Sequence, residues 1–248
     1  MNEQKKSGRS VIISVAVAAA FVLLAVFVVY VVTPRRAEVP AASRPEFSVP
    51  DESSEPEISL PPAEFKTHMS EAEVGNLVYY GRYAEQQGDP EPIEWIVLDK
   101  QDDKLLLITR DCLLRAPFNE ERGGAGSFSE STLKTYLNSE FISKAFTEKE
   151  SDNLIGSDGE KLFILSSDEA LKYFEPDSHR TAKAAASCEG GGIKAGDRVM
   201  WWLSDVNPDG FVKYVFTDGT VRDKGFACDY TGVCVRIAVW VSAEAEAQ

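Results

Sequence analysis

Hydrophobic positions follow three regimes along this chain. From Val11 to Val32 there are 22 consecutive residues without a charged side chain. As a helix this run is about 33 Å long, enough to cross a hydrocarbon core of roughly 30 Å, and a helix satisfies its own backbone hydrogen bonds there. A cleaved leader is the alternative, but its apolar core is normally ~7–15 residues. The flank Thr33-Pro34-Arg35-Arg36 is also a poor cleavage site. The run therefore predicts an uncleaved membrane anchor, preceded by a short cytoplasmic tail, residues 1–10. The second regime, 33–68, has no apolar period. Seven of the twelve prolines fall in it, six of them between 37 and 65, spaced by serines and acidic residues. Proline removes backbone donors and fixes φ, so this segment predicts a disordered stalk.

In the third regime, 69–242, short apolar runs are bounded by turns. Asn76-Leu-Val-Tyr-Tyr-Gly, Pro92-Ile-Glu-Trp-Ile-Val-Leu-Asp and Lys104-Leu-Leu-Leu-Ile-Thr predict three strands of an antiparallel meander, with a turn at Asp102-Asp103. From Ser129 the period becomes helical, with Leu133, Leu137, Phe141 and Ile142 on one face. Thr147 with Glu150 and Ser166 with Glu169 have capping-box spacing. A long loop rich in Ala, Gly and Lys occupies 178–198. Then Val199-Met-Trp-Trp-Leu-Ser, Phe211-Val-Lys-Tyr-Val-Phe and Cys234-Val-Arg-Ile-Ala-Val-Trp-Val return to strand pattern, and 243–248 reads as a frayed acidic tail. Strands at both ends with helices between them predict an α+β domain, mostly antiparallel, with a few helices.

Charge refines the picture. Residues 1–36 sum to +4, which leaves −18 for residues 37–248 of a net −14. Such an ectodomain repels phosphate backbones and anionic lipid surfaces, which excludes nucleic acid as a partner. Lys5, Lys6 and Arg9 before the span balance Arg35, Arg36 and Arg44 after it. The α-amino group and the acidic remainder place the N-terminus inside and the domain outside the membrane.

No residue pattern reaches the standard of a catalytic site. His68 and His179 are the only histidines, and neither has a nucleophile spaced to pair with it. Asn207-Pro208-Asp209-Gly210, following Ser204 and Asp205, offers oxygen ligands in a turn. Turn chemistry accounts for it without an ion, and calcium is the alternative. With Trp202 these four residues, Ser204, Asp205, Asn207 and Asp209, form the candidate ligand-binding set. Trp95, Trp201 and Trp240 read as core aromatics. Arg236, inside an apolar strand, reads as structural, held by a carboxylate or by backbone carbonyls. Four cysteines permit three pairings. Cys228 and Cys234 flank a short turn-forming sequence and are the candidate disulfide, with buried thiols as the alternative. No Cys-x-x-Cys occurs, so zinc is not expected.

Several of these pieces together resemble an uncharacterised bacterial extracytoplasmic domain family. They are Gly81-Arg82-Tyr83, Pro92-Ile93-Glu94-Trp95, Leu133 to Asn138, Trp201-Trp202-Leu203-Ser204 and Val235-Arg236-Ile237-Ala238-Val239-Trp240. That family is distantly similar to the C-type-lectin-like and formylglycine-generating-enzyme fold. The resemblance implies strands from both chain ends in one sheet and a domain on secreted or anchored proteins. It brings no agreed activity. Ser204 stands where the family tends to have arginine, Cys234 where it has glycine and Ile237 where it has proline. The expected function is a membrane-anchored extracytoplasmic binding module for a glycan or surface protein. A cell-envelope hydrolase or modifying enzyme, recognisable by a cleft holding a carboxylate of raised pKa, is one alternative. A structural or sensory ectodomain is the other.

Overall fold

Strand patterning decides most of the architecture seen in the computed structural model. It describes residues 65–246, apart from 67, 85–88, 124–125 and 158. These belong to one compact unit, Ile58–Gln248. The apolar run at Val11–Val32 and the stalk as far as 64 lie outside the described residues. Among the described residues no helix is long and apolar enough to cross a membrane.

The strands in chain order are β1 (Phe65–Lys66), β2 (Leu77–Tyr83), β3 (Glu91–Gln101), β4 (Lys104–Thr109), β5 (Leu114–Arg115), β6 (Leu154–Ile155), β7 (Leu162–Phe163), β8 (Ala182–Lys183), β9 (Arg198–Val199), β10 (Trp201–Val206), β11 (Val212–Val215), β12 (Val221–Phe226), β13 (Cys234–Val235) and β14 (Ala238–Ser242). One sheet runs β1-β2-β3-β4-β14-β6, with β7 also on β14. A second runs β12-β11-β10-β13-β5, and β8 and β9 form a small pair. The β1–β2 and β10–β13 pairings are parallel and the others antiparallel. The domain is thus α+β with mostly antiparallel sheets.

Both sheets are covered on both faces. Leu105 and Leu107 of β4 point into the main core, while Leu106 and Ile108 point into a second cluster with Leu165, Phe174 and Ala238. Period-two alternation with apolar residues on both sides produces the unbroken Leu-Leu-Leu-Ile run. Trp202 and Trp201 divide likewise, Trp202 into the main core and Trp201 into a third cluster.

The helical stretch begins at Ser131, whose hydroxyl accepts from the Lys134 amide at 3.0 Å. It comprises α1 (Thr132–Tyr136), a π turn (Leu137–Phe141) and α2 (Ile142–Ala145). Leu133, Leu137, Phe141 and Ala145 bury its inner face. Both capping boxes form, opening α3 (Glu148–Asp152) and α4 (Ser167–Tyr173). Gly81, at φ +69°, sits at a bulge in β2 where an added Cβ would lie 2.6 Å from the Ala145 carbonyl and 2.7 Å from the Phe146 ring. Only glycine admits this approach of the helix end.

Three details differ from the sequence reading. Order begins before residue 69, because Phe65 stacks on Tyr79 at 4.6 Å and β1 pairs with β2. The acidic tail is engaged as far as Glu246, which bridges His68 and ion-pairs with Lys149. The last strand is not continuous. It breaks at Arg236–Ile237, so that β13 serves the second sheet and β14 the first.

Candidate functional site

The break in the last strand is matched by one between β4 and β5. The two interrupted strands run alongside each other, β14 on β4 and β13 on β5, and together form a seam between the sheets. Backbone groups released from a ladder inside a protein need other partners. Thr109, fully buried, supplies several. Its amide donates to the Ile237 carbonyl at 2.9 Å, and its hydroxyl accepts from the Ile237 amide at 3.1 Å. Its carbonyl accepts from Arg236 Nε at 2.8 Å.

Arg236 is therefore threaded through the seam, 1% exposed. Its guanidinium lies 4.9 Å from the Phe174 ring and 5.5 Å from the Trp201 ring. Burial lowers its pKa to about 10, with the charge of Asp111 acting in the opposite sense. One nitrogen, Nη1, is buried without a hydrogen-bond partner. Buried Arg180 makes the contrast. Its three nitrogens reach the Gly219 and Phe174 carbonyls and the Asp177 carboxylate.

Arg236 lines a cleft of about 1060 Å³. Glu91 and Glu94 of β3 form one wall. Arg110 and Asp111, beyond β4, lie next to them, and the segment from Ser178 to Gly196 forms the opposite wall. Arg110 Nη1 pairs with Glu94 Oε2 at 2.7 Å, and Tyr79 donates to Glu94 Oε1 at 3.3 Å. Burial raises the Asp111 carboxyl above its ordinary value. Arg110, Arg236 and Lys183 pull it down, and Glu94 pushes it up. The cleft thus joins a buried cation with one unused N–H to a carboxyl that holds its proton more readily than usual. It is suited to grip an acidic group, and Asp111 is placed to give or take a proton.

The candidate set read from the sequence lies outside this cleft. Trp202 is buried and donates through Nε1 to the Ala116 carbonyl at 2.9 Å. The Ser204 amide bonds the Leu165 carbonyl. Asp205 accepts from the amide and hydroxyl of Ser167 at the start of α4. Asn207 Oδ1 accepts from the Asp209 and Phe211 amides, and its Nδ2 donates to the Asp223 and Lys224 carbonyls. The turn oxygen proposed for calcium is thus used by the backbone. Among the described residues no group of His, Cys, Asp and Glu is arranged to hold a metal ion.

Trp95 is buried and donates to the Tyr80 carbonyl at 2.7 Å. Trp201 is buried beneath the 178–199 segment and donates to the Arg180 carbonyl. Trp240 is half-buried under Lys104, whose Nζ lies 4.7 Å from its ring. Cys234 does not face Cys228. Its sulfur lies 3.1 Å from that of Cys188, while Cys228 approaches the Glu121 carbonyl. Asp111, Arg110 and Lys183 escaped the sequence reading because two segments far apart in the chain bring them together. Arg236, a charge inside an apolar strand, was the signal that could have led there. No protein-family model, curated protein or solved structure matches this chain.

Proposed function

We propose that this protein is a membrane-anchored extracytoplasmic binding module whose ligand, a glycan or protein of the cell surface, lodges an acidic group over Arg236. The observation that carries this reading is the unpartnered Nη1 of a fully buried guanidinium at the floor of a cleft. Leaving a buried donor unsatisfied costs about 1–3 kcal/mol, a cost that an acidic ligand would remove. The apolar run at Val11–Val32 and the proline-spaced stalk support the anchored layout, and the C-type-lectin-like likeness supports a binding role by analogy of fold.

A protein ligand is the better fit of the two. Sugar recognition commonly uses an exposed aromatic face, and Trp95, Trp201 and Trp202 are fully buried. The cleft instead mixes Arg110, Lys183 and Arg236 with Asp89, Glu91, Glu94, Asp111 and Glu189, a pattern that suits a peptide carrying both signs of charge. Peptide and glycan arrays probed with the wild-type domain and with Arg236→Met test this. Binding that is lost in the variant is expected. Silence on both arrays, with turnover of an envelope substrate, would overturn it. Protease accessibility on intact cells tests the topology.

One observation favours an envelope-directed enzyme as a second reading: Asp111 is a carboxyl with a raised pKa inside a cleft. The two separate cleanly, because Asp111→Asn abolishes turnover in an enzyme while a binding module keeps its ligand.

A further inference from the structure

Cys188 closes a short turn, Ala186–Cys188, within the segment that walls the cleft. The turn is anchored from below. Ser187 donates to the Leu113 carbonyl at 2.8 Å, and the Ala185 amide bonds the Cys112 carbonyl at 2.9 Å. Cys234 stands on β13, paired with Trp201 of β10 and Arg115 of β5, so it belongs to the middle of the second sheet. Both side chains are fully buried, and their sulfurs lie 3.1 Å apart. Cys112 shares their cluster, and its thiol is pushed well up by burial.

We propose that Cys188 and Cys234 form a disulfide that ties the cleft wall to the second sheet and holds the cleft at a fixed width. Oxidising compartments outside the membrane permit such bonds, so its presence in the cell rests on the extracytoplasmic reading. Formation in vitro does not. Each thiol gives up a proton and an electron as the Sγ–Sγ bond forms. A disulfide oxidant such as oxidised glutathione takes up both protons and both electrons, and its own sulfur–sulfur bond breaks to two thiols. Burial of both sulfurs means that this exchange occurs while the chain folds. Cys112, left over in the cluster, stays a thiol.

The full-length chain is refolded with oxidised glutathione, acid-quenched, denatured, alkylated and peptide-mapped. Two alkylated cysteines, Cys112 and Cys228, with a 188–234 linked peptide, are expected. Cys112→Ser and Cys228→Ser keep the link, whereas Cys188→Ser and Cys234→Ser lose it. Four alkylated cysteines, or a link through Cys112 or Cys228, overturn the proposal. The latch is read separately by trypsin, since Lys194 of the wall and Arg198 just after it are exposed. Reducing the wild-type protein should speed cleavage there at least about tenfold, given what a disulfide contributes. An unchanged rate overturns the latch even if the bond is found. Wild type with and without reductant needs no variant to fold.

Discussion

Replacing Arg236 with methionine separates what burial costs the guanidinium from what it contributes. Burial lowers its pKa from the ordinary arginine range to about 10, which places a penalty of roughly 3 kcal/mol on the charged form in the fold. The unfolded chain holds this proton more tightly, so the penalty is present in full below about pH 10 and is relieved as pH rises above it. The unpartnered Nη1 adds about 1–3 kcal/mol. Against this stand a charge-assisted bond to the Thr109 carbonyl, worth about 1.5–3 kcal/mol, and two aromatic faces worth about 0.5–2 kcal/mol each. Costs and gains nearly cancel. Methionine fills a similar volume without charge, though it strands the Thr109 carbonyl. Arg236→Met is therefore expected within about 2 kcal/mol of wild type, whereas Arg236→Ala opens a cavity and loses about 2–5 kcal/mol. Urea midpoints of the domain at pH 7, with unchanged m values, measure both. At pH above 10 the methionine variant should fare worse relative to wild type than at pH 7. If methionine costs as much as alanine at pH 7, the guanidinium is a net structural anchor. The claim that its free N–H is kept for a ligand would then fail.

Gly81→Ala forces a side chain onto the Ala145 carbonyl at a positive φ, and a loss of about 2–4 kcal/mol is expected by denaturation; a change under about 1 kcal/mol would show that the helix end is free to move. Asp111→Asn tests the raised carboxyl. A group raised in the fold stabilises fully below its ordinary 3.8 and loses that contribution as pH climbs through its folded value. Wild type should thus lose stability relative to the variant as pH rises above about 4, and parallel profiles would refute it. Ser166→Ala removes the acceptor for the Glu169 amide at the start of α4, which should cost about 1 kcal/mol. Asn207→Ala should destabilise the β10–β11 turn whether calcium or a chelator is present, and a calcium-dependent loss would reinstate an ion there.

Local chemistry was legible where it was self-contained. The β2–β3–β4 meander follows from apolar runs and the Asp102-Asp103 turn, where Asp102 adopts φ 44°. Both capping boxes follow from spacing alone. The opposed faces of Trp201 and Trp202 also follow from strand geometry, but their shared burial does not, because period two cannot say whether a second layer covers the outer face. The break at Arg236 was invisible for a related reason. Cys234-Val-Arg-Ile-Ala-Val-Trp carries no turn residue, and the strand stops only because its partner changes from β5 to β4. Cys188 became the neighbour of Cys234 through the same packing, across 46 residues of chain.

That change of partner is also why freed polar groups gather at this place in the fold. Where two strands cross from sheet to sheet side by side, ladder bonds are lost in the interior, and each freed polar group must find another partner. Thr109 answers for the Ile237 amide and carbonyl, and Arg236 Nε answers for the Thr109 carbonyl. The Leu113 amide is met by Val235, and the Cys112 amide by Lys183 of the cleft wall. Beside these exchanges one donor, Arg236 Nη1, is left over, on a residue that lines the cleft. A hydrophobic residue would remove that surplus donor, at the cost of the Thr109 carbonyl's bond from Nε. On the binding reading proposed above, the arginine is kept there for what enters the cleft.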